Sequence, residues 1–154
     1  RRIIRAIEVY KATGRPMSYH RQVSRLEEPA YNYIIFGINM ERKKLYERIN
    51  KRVDEMIERG LVDEVKSLVE MGYDKCSIAM QALGYKEILW YLKGKATLEE
   101  AIDLLKRDTR RYAKRQMTWF RKIKDITWLD IDEDYTKAVN YIVQYIREAE
   151  KLYE

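Results

Sequence analysis

One helix start constrains the fold of this chain more than any other feature. Thr97-Leu98-Glu99-Glu100 forms a capping box: the Thr97 hydroxyl can accept from the Glu100 amide while the Glu100 carboxylate reaches back. The helix it opens is predicted to run from Leu98 to Ile123, roughly 39 Å at about 1.5 Å per residue. Leu98, Ile102, Leu105, Tyr112, Trp119 and Ile123 recur along it as an apolar stripe. A stripe of that length needs cover, so the chain is expected to fold by packing further helices against it.

The remaining segments supply that cover. A helix is predicted over Arg1–Thr13, with Ile3, Ile4, Ile7 and Tyr10 on one side and Gly14-Arg15-Pro16 ending it. A short helix after Ser18 and a loop at Glu28-Pro29 follow. Tyr31–Ile38 reads as a strand buried on both faces. Helices are expected over Glu41–Arg59 (core face Leu45, Ile49, Val53, Met56) and Leu61–Met71 (Val65, Leu68, Val69), separated by Gly60. After an Asp74–Ser77 loop come a short helix at Ile78–Leu83, a break at Gly84 and a helix over Tyr85–Leu92. Ile126–Ile131 is a second strand and Tyr135–Tyr153 a last amphipathic helix. The expected class is α/β: mostly helical, with two strands at about 31–38 and 126–131, in one domain. With 154 residues the chain can bury a core without disulfides or metals. The single Cys76 excludes a disulfide framework or cysteine-rich zinc site, and the single His20 argues against a histidine metal centre. Both fit a reducing cytoplasm. No apolar run approaches the roughly 20 residues of a membrane span, and no secretory signal is visible.

Charge is concentrated on the long helix. Lys106, Arg107, Arg110, Arg111, Lys114, Arg115, Arg121, Lys122 and Lys124 stand there with Asp108 as the only acid. That segment carries +8 against a whole-chain net of +6, which leaves −2 for the rest. A solvated face mixes signs and gains i,i+4 pairs. This face repels itself unless a polyanion neutralises it, so RNA or DNA is the expected partner. A membrane-surface helix would turn its apolar side to lipid, and here that side is needed for the core. Arg107, Arg110, Arg111, Lys114 and Arg121 fall roughly opposite the stripe. Trp119 and Phe120 can stack on bases, or serve as core aromatics.

Three smaller clusters accompany the stripe. In Gln81-Ala82-Leu83-Gly84-Tyr85-Lys86, Gln81 can bond a base edge, Gly84 permits a close approach or sharp turn, and Tyr85 offers a ring. A plain helix–glycine–helix corner explains the same residues. Arg48 and Arg52 lie one turn apart and suit a phosphate or diphosphate, although Glu41, Glu47 and Asp54 offer intrahelical ion pairs instead. Arg1, Arg2 and Arg5 are a further basic group. No Ser/His/Asp set, HExxH or glycine-rich phosphate loop occurs, and Asp130 and Asp132 have no histidine partner.

Taken together, these segments resemble the tRNA dimethylallyltransferases, also called tRNA isopentenyltransferases. The resemblance is carried by Arg1-Arg2-Ile3-Ile4-Arg5-Ala6-Ile7-Glu8-Val9-Tyr10 with Thr13-Gly14-Arg15-Pro16. Arg42-x-x-Leu45-Tyr46-x-Arg48-Ile49-x-x-Arg52-Val53-Asp54 and Gly60-Leu61-Val62 add to it. Gln81-Ala82-Leu83-Gly84-Tyr85-Lys86-Glu87 follows, and Thr109-Arg110-Arg111-Tyr112-Ala113-Lys114-Arg115-Gln116-Met117-Thr118-Trp119-Phe120-Arg121 is the most specific. The resemblance implies transfer of a dimethylallyl group from its diphosphate to N6 of adenosine 37, beside the tRNA anticodon, with Mg2+ assisting. The target base would be taken out of its stack. The implied core is a P-loop kinase-like parallel sheet. It implies tRNA contacts at Arg1, Arg2, Ile3, Ile4 and Arg5; at Gln81, Ala82, Leu83, Gly84, Tyr85 and Lys86; and at Lys114, Arg115, Gln116, Met117, Thr118, Trp119, Phe120 and Arg121. It implies diphosphate contacts at Arg52 and Arg48, with Arg52 the better candidate.

The departure from the family is that its phosphate loop and its catalytic aspartate have no counterpart here. Arg1 opens in mid-helix without a cap, so a carboxy-terminal portion is expected, with residues 1 to about 24 leading out of an insertion region. No catalytic or metal-ligating residue is assigned to this segment, and it should be inactive alone. The missing amino-terminal half would be a partner, completing the sheet and supplying the Mg2+ ligands. The complete protein is expected to be a cytoplasmic monomer. The competing expectations are a stand-alone basic RNA-binding module without catalysis and a helical protein-interaction domain.

Overall fold

A computed structural model of the chain describes residues 2–26, 33–75, 78–131 and 135–150. It divides into two units, residues 1–34 and 35–154. Arg1, the Glu28-Pro29 loop, Tyr31, Cys76, Ser77, Asp132 and the end of the last predicted helix lie outside the described residues.

The first unit is a helical hairpin of α1 (Arg2–Thr13) and α2 (Met17–Leu26). Gly14 turns the chain at φ +68°, a conformation that costs other residues steric strain. The Thr13 hydroxyl donates to the Val9 carbonyl (2.8 Å), lies 2.9 Å from His20 Nε2, and so ties the end of α1 to α2. Ile3, Ile4, Ile7 and Tyr10 are exposed.

The second unit contains the core. Strands β1 (Ile35–Asn39) and β2 (Ile126–Asp130) pair in parallel, with Ile35 opposite Ile126 and Asn39 opposite Asp130. A parallel pair requires a crossover, and helices α3 (Arg42–Glu58), α4 (Leu61–Glu70), α5 (Tyr85–Leu92) and α6 (Leu98–Phe120) provide it. Helix α7 (Tyr135–Glu150) follows β2. The capping box is formed as read: the Thr97 amide donates to Glu100 Oε2 (2.7 Å) and the Glu100 amide to Thr97 Oγ1 (3.2 Å). Val53, Leu61, Val65, Met80, Ile88, Leu89 and Leu105 form one buried cluster.

Several expectations are corrected. The apolar stripe of α6 enters the core only over its first half: Leu105 is buried, whereas Tyr112 and Trp119 are 49% and 62% exposed. Two causes act together. Helix α5, only about 12 Å long, covers the first turns and no more, and α3 meets α6 through the polar pairs Asp54–Lys106 and Asn50–Arg110. A seven-residue spacing also drifts by roughly 20° per repeat around a straight helix. The helix ends at Phe120 rather than Ile123, closed by tighter bonds from the Lys122 amide to Trp119 O (3.1 Å) and from Ile123 to Phe120 O (3.0 Å). Ile78–Leu83 yields a 3-10 turn at Ala79–Gln81, and the predicted loop holds another at Tyr73–Lys75.

The first strand is not buried on both faces. It begins at Ile35, and Ile38 is 57% exposed, because α7 covers Phe36 on that face and leaves Ile38 open. Phe36 meets Tyr141 and Tyr145 of α7 edge-on, at 6.4 and 5.5 Å between ring centres. Across the sheet, a Cβ on Gly37 would stand 2.7 Å from Trp128 Cε3 and 2.8 Å from Ile126 Cγ2. Gly37→Val is therefore expected to destabilise the fold by about 2 kcal/mol through overpacking. Urea unfolding measures it, and a change under about 0.5 kcal/mol would mean that the indole swings aside freely.

Candidate nucleic-acid and diphosphate interface

A groove of about 1200 Å³ opens between the sheet, α3 and the second half of α6. Its lining combines cationic and apolar side chains, with Glu55 among them. Arg48, Arg52, Lys114 and Arg121 contribute charge, while Trp128 and Met117 are among the apolar walls. This places both candidate diphosphate arginines and most of the Lys114–Arg121 segment on one concavity.

The two arginines differ in what they already hold. Arg48 donates to the Tyr135 hydroxyl, lies over that ring at 5.6 Å and approaches Met40 Sδ at 4.0 Å. Arg52 makes no ion pair or hydrogen bond with another described residue, so its guanidinium donors remain available. Ion pairing with Glu41, Glu47 or Asp54 does not account for either: Asp54 pairs instead with Lys106 of α6, at 2.6 Å.

Asn50 and Asp54, one turn apart on α3, meet Arg110 and Lys106, one turn apart on α6. Arg110 donates to Asn50 Oδ1 at 2.6 Å and lies 6.0 Å from the centre of the Tyr46 ring. Arg110 is thus removed from the outward basic face on which its helical position put it. The matching i,i+4 spacing on the two helices was the available signal. Asp130 has a partner too, though not a histidine: Asn39 Nδ2 donates to Asp130 Oδ1 at 2.6 Å, across the strand pair.

Within Lys114–Arg121, all but Met117 are exposed, and Met117 lines the groove. Arg115 lies over Tyr112 at 5.8 Å. Trp119 and Phe120 stand edge to face, 5.0 Å apart, with Trp119 outside the core. Arg2, Ile3, Ile4 and Arg5 lie on α1 in the other unit, where Arg5 pairs with Glu8 at 3.3 Å.

The Gly84 corner is more committed than its sequence suggested. Gly84 is buried at φ +101°, and its amide donates to Glu87 Oε2 at 2.9 Å, starting α5. Tyr85 does not present a free ring: it packs on the core and its hydroxyl donates to Glu64. That bond raises the phenol above its ordinary pKa, helped by burial and by the Glu64 charge. Gln81, Ala82 and Leu83 remain exposed. Lys86 Nζ lies 3.6 Å from Glu87 Oε1, 3.9 Å from Asp108 Oδ2 and 4.9 Å from the Trp90 ring centre. Among the described residues no group of three or more His, Cys, Asp or Glu side chains gathers as a metal site. No helix among them is long and apolar enough to cross a membrane.

Comparison with known proteins adds a family. The IPP transferase family model matches residues 1–123. The tRNA dimethylallyltransferase of Acetivibrio thermocellus is 64% identical over 133 residues, spanning 86% of this chain and 42% of that protein. The tRNA dimethylallyltransferase of Carboxydothermus hydrogenoformans is 59% identical over 139 residues, spanning 90% and 44%. The crystal structure of a tRNA delta(2)-isopentenylpyrophosphate transferase from Staphylococcus epidermidis superposes with a TM-score of 0.73 at 40% identity, covering 96% of this chain and 48% of that one. The full-length tRNA isopentenylpyrophosphate transferase from Bacillus halodurans gives 0.72 at 42%, covering 96% and 54%. The chain spans just under half the length of these curated relatives.

Proposed function

Because this chain belongs to the IPP transferase family, we propose that it forms part of an enzyme transferring a dimethylallyl group from dimethylallyl diphosphate to N6 of adenosine 37 in tRNA. It supplies tRNA-binding and diphosphate-contacting residues. The observation that carries this reading is the groove itself. A free arginine, Arg52, lines it together with Lys114 and Arg121 and with apolar side chains that include Met117 and Trp128. A prenyl diphosphate calls for both kinds of residue, having an anionic head and an apolar tail.

The chemistry assigns Arg52 a role. The adenosine amine attacks the first carbon of the dimethylallyl group, its C–O bond to the diphosphate breaks, and N6 gives up a proton. Negative charge grows on the departing diphosphate oxygen. A guanidinium already in place favours that state over the ground state. Arg48 is held by Tyr135 and serves the same anion less directly. Lys114–Arg121 and the exposed Gln81–Leu83 edge form the RNA side, with Trp119 or Phe120 stacking on bases. Residues 2–5 add a basic patch on α1. The relatives' remaining length is the source of the phosphate loop, of strands that continue the sheet, of the base acting on N6 and of the Mg2+ ligands. The complete enzyme works on tRNA in the cytoplasm as a monomer.

The test is transfer of label from dimethylallyl diphosphate to an anticodon stem-loop by the complete protein. Label is expected on the adenosine beside the anticodon, and not when guanosine replaces it. RNA binding without label would instead favour a non-catalytic RNA-binding module.

A further inference from the structure

We infer that Asp108 is a positioning residue whose carboxylate gathers Lys86, Arg107 and Arg111 into one platform that binds an RNA phosphate. The inference rests on the reading of this chain as part of a tRNA-binding enzyme. Asp108 is the only acid between Lys106 and Lys124. Its Oδ1 accepts from Arg107 Nε at 3.2 Å and from Arg111 Nη1 at 3.3 Å, while Oδ2 lies 3.9 Å from Lys86 Nζ. One carboxylate thus collects three cations from two helices, α5 and α6.

Exposure separates this arrangement from a solvated ion pair. The Asp108 side chain is 23% exposed, against 31% for Lys86, 48% for Arg107 and 61% for Arg111. The acid is the least exposed of the four, and the two guanidinium groups are the most open to solvent. Each guanidinium spends one N–H on Asp108 and keeps the other donors of its fork. Lys86 is braced on its inner side by Glu87, which is 1% exposed and shows nothing to solvent, and on its flank by Trp90. Three unpaired cations so close would repel and splay, but gathered on one anion they are preorganised. Two planar forks and one ammonium match the oxygens of a phosphodiester. Lys114, one turn beyond Arg111, continues the cationic surface towards the groove. An open surface continuous with a basic helix face favours a nucleic-acid backbone over a small enclosed anion.

The experiment sets two physical accounts against each other with opposite signs. Labelled anticodon stem-loop RNA is titrated with the complete protein, its Asp108→Asn, Arg111→Ala and double variants, across a salt series. If Asp108 merely dilutes positive charge, Asp108→Asn binds RNA tighter with a steeper salt slope, and the proposal is overturned. As a positioning residue, its loss weakens binding about threefold to tenfold despite the added charge. Arg111→Ala alone, at an exposed helix position, should weaken binding and lower the salt slope by about one. In that background Asp108→Asn should cost less than about twofold, because part of what it holds is gone; additive losses would overturn the proposal. Transfer of label with unchanged RNA affinity in both single variants removes the platform and leaves the enzyme reading intact. Absence of salt-dependent RNA binding by the unaltered protein removes both.

Discussion

Arg52→Ala in the complete protein is expected to slow dimethylallyl transfer by roughly 10²–10³-fold while changing tRNA affinity by less than about twofold. The size follows from the role: removing one preorganised donor from a developing negative charge costs about that much in catalytic rate. The selectivity follows from place. Arg52 sits on α3 within the groove, bonded to no other described residue. Its removal therefore leaves no buried partner unsatisfied and should leave the fold intact. Arg48→Ala is expected to cost only about tenfold, since that guanidinium divides its donors between the groove and Tyr135. Single-turnover rates with saturating RNA, set beside RNA titrations, separate the effects. An Arg52 variant that loses RNA affinity as steeply as rate would move this residue from the diphosphate to the RNA face.

What the sequence made legible, and what it hid, divides along physical lines. Thr97 and Glu100 announced the start of α6 because a capping box is a local device, complete within four residues. Gly60 and Gly84 marked breaks for the same reason, their positive φ angles being local needs. The second half of α6 departs from its apolar pattern because burial depends on what covers a stripe, and α5 is too short to reach Tyr112 and Trp119. Arg110 departs from the basic face because helix position fixes direction but not partner, and Asn50 is sixty residues away in sequence. Strand β1 read as doubly buried from its apolar run, yet an apolar run reports only what a strand could bury. The candidate site was legible as charge and resemblance. Its division into a free Arg52 and a tethered Arg48 required the packing of α7, which no local pattern encodes.

Trp119→Ala is expected to weaken binding of the anticodon stem-loop about tenfold and to leave unfolding stability within about 0.5 kcal/mol. A tryptophan at helical spacing with Leu105 and Tyr112 would ordinarily be counted in the core, where truncation costs about 3–5 kcal/mol. Its 62% exposure argues otherwise, since a ring in water has little packing to lose. The neighbouring Phe120 touches it edge-on and also lines the groove, so the two rings form a step between open surface and concavity. Stacking needs a flat face more than a particular ring, so Trp119→Phe should retain most of the affinity. Phe120→Ala should act differently, raising the requirement for the prenyl donor along with that for RNA, because its ring reaches the groove. Unfolding curves and RNA titrations on the same variants decide between the accounts. A Trp119→Ala protein that loses several kcal/mol of stability while binding RNA normally would return the indole to the core. Lys114 and Arg121 would then hold the RNA by charge alone, and the salt slope would carry the whole affinity.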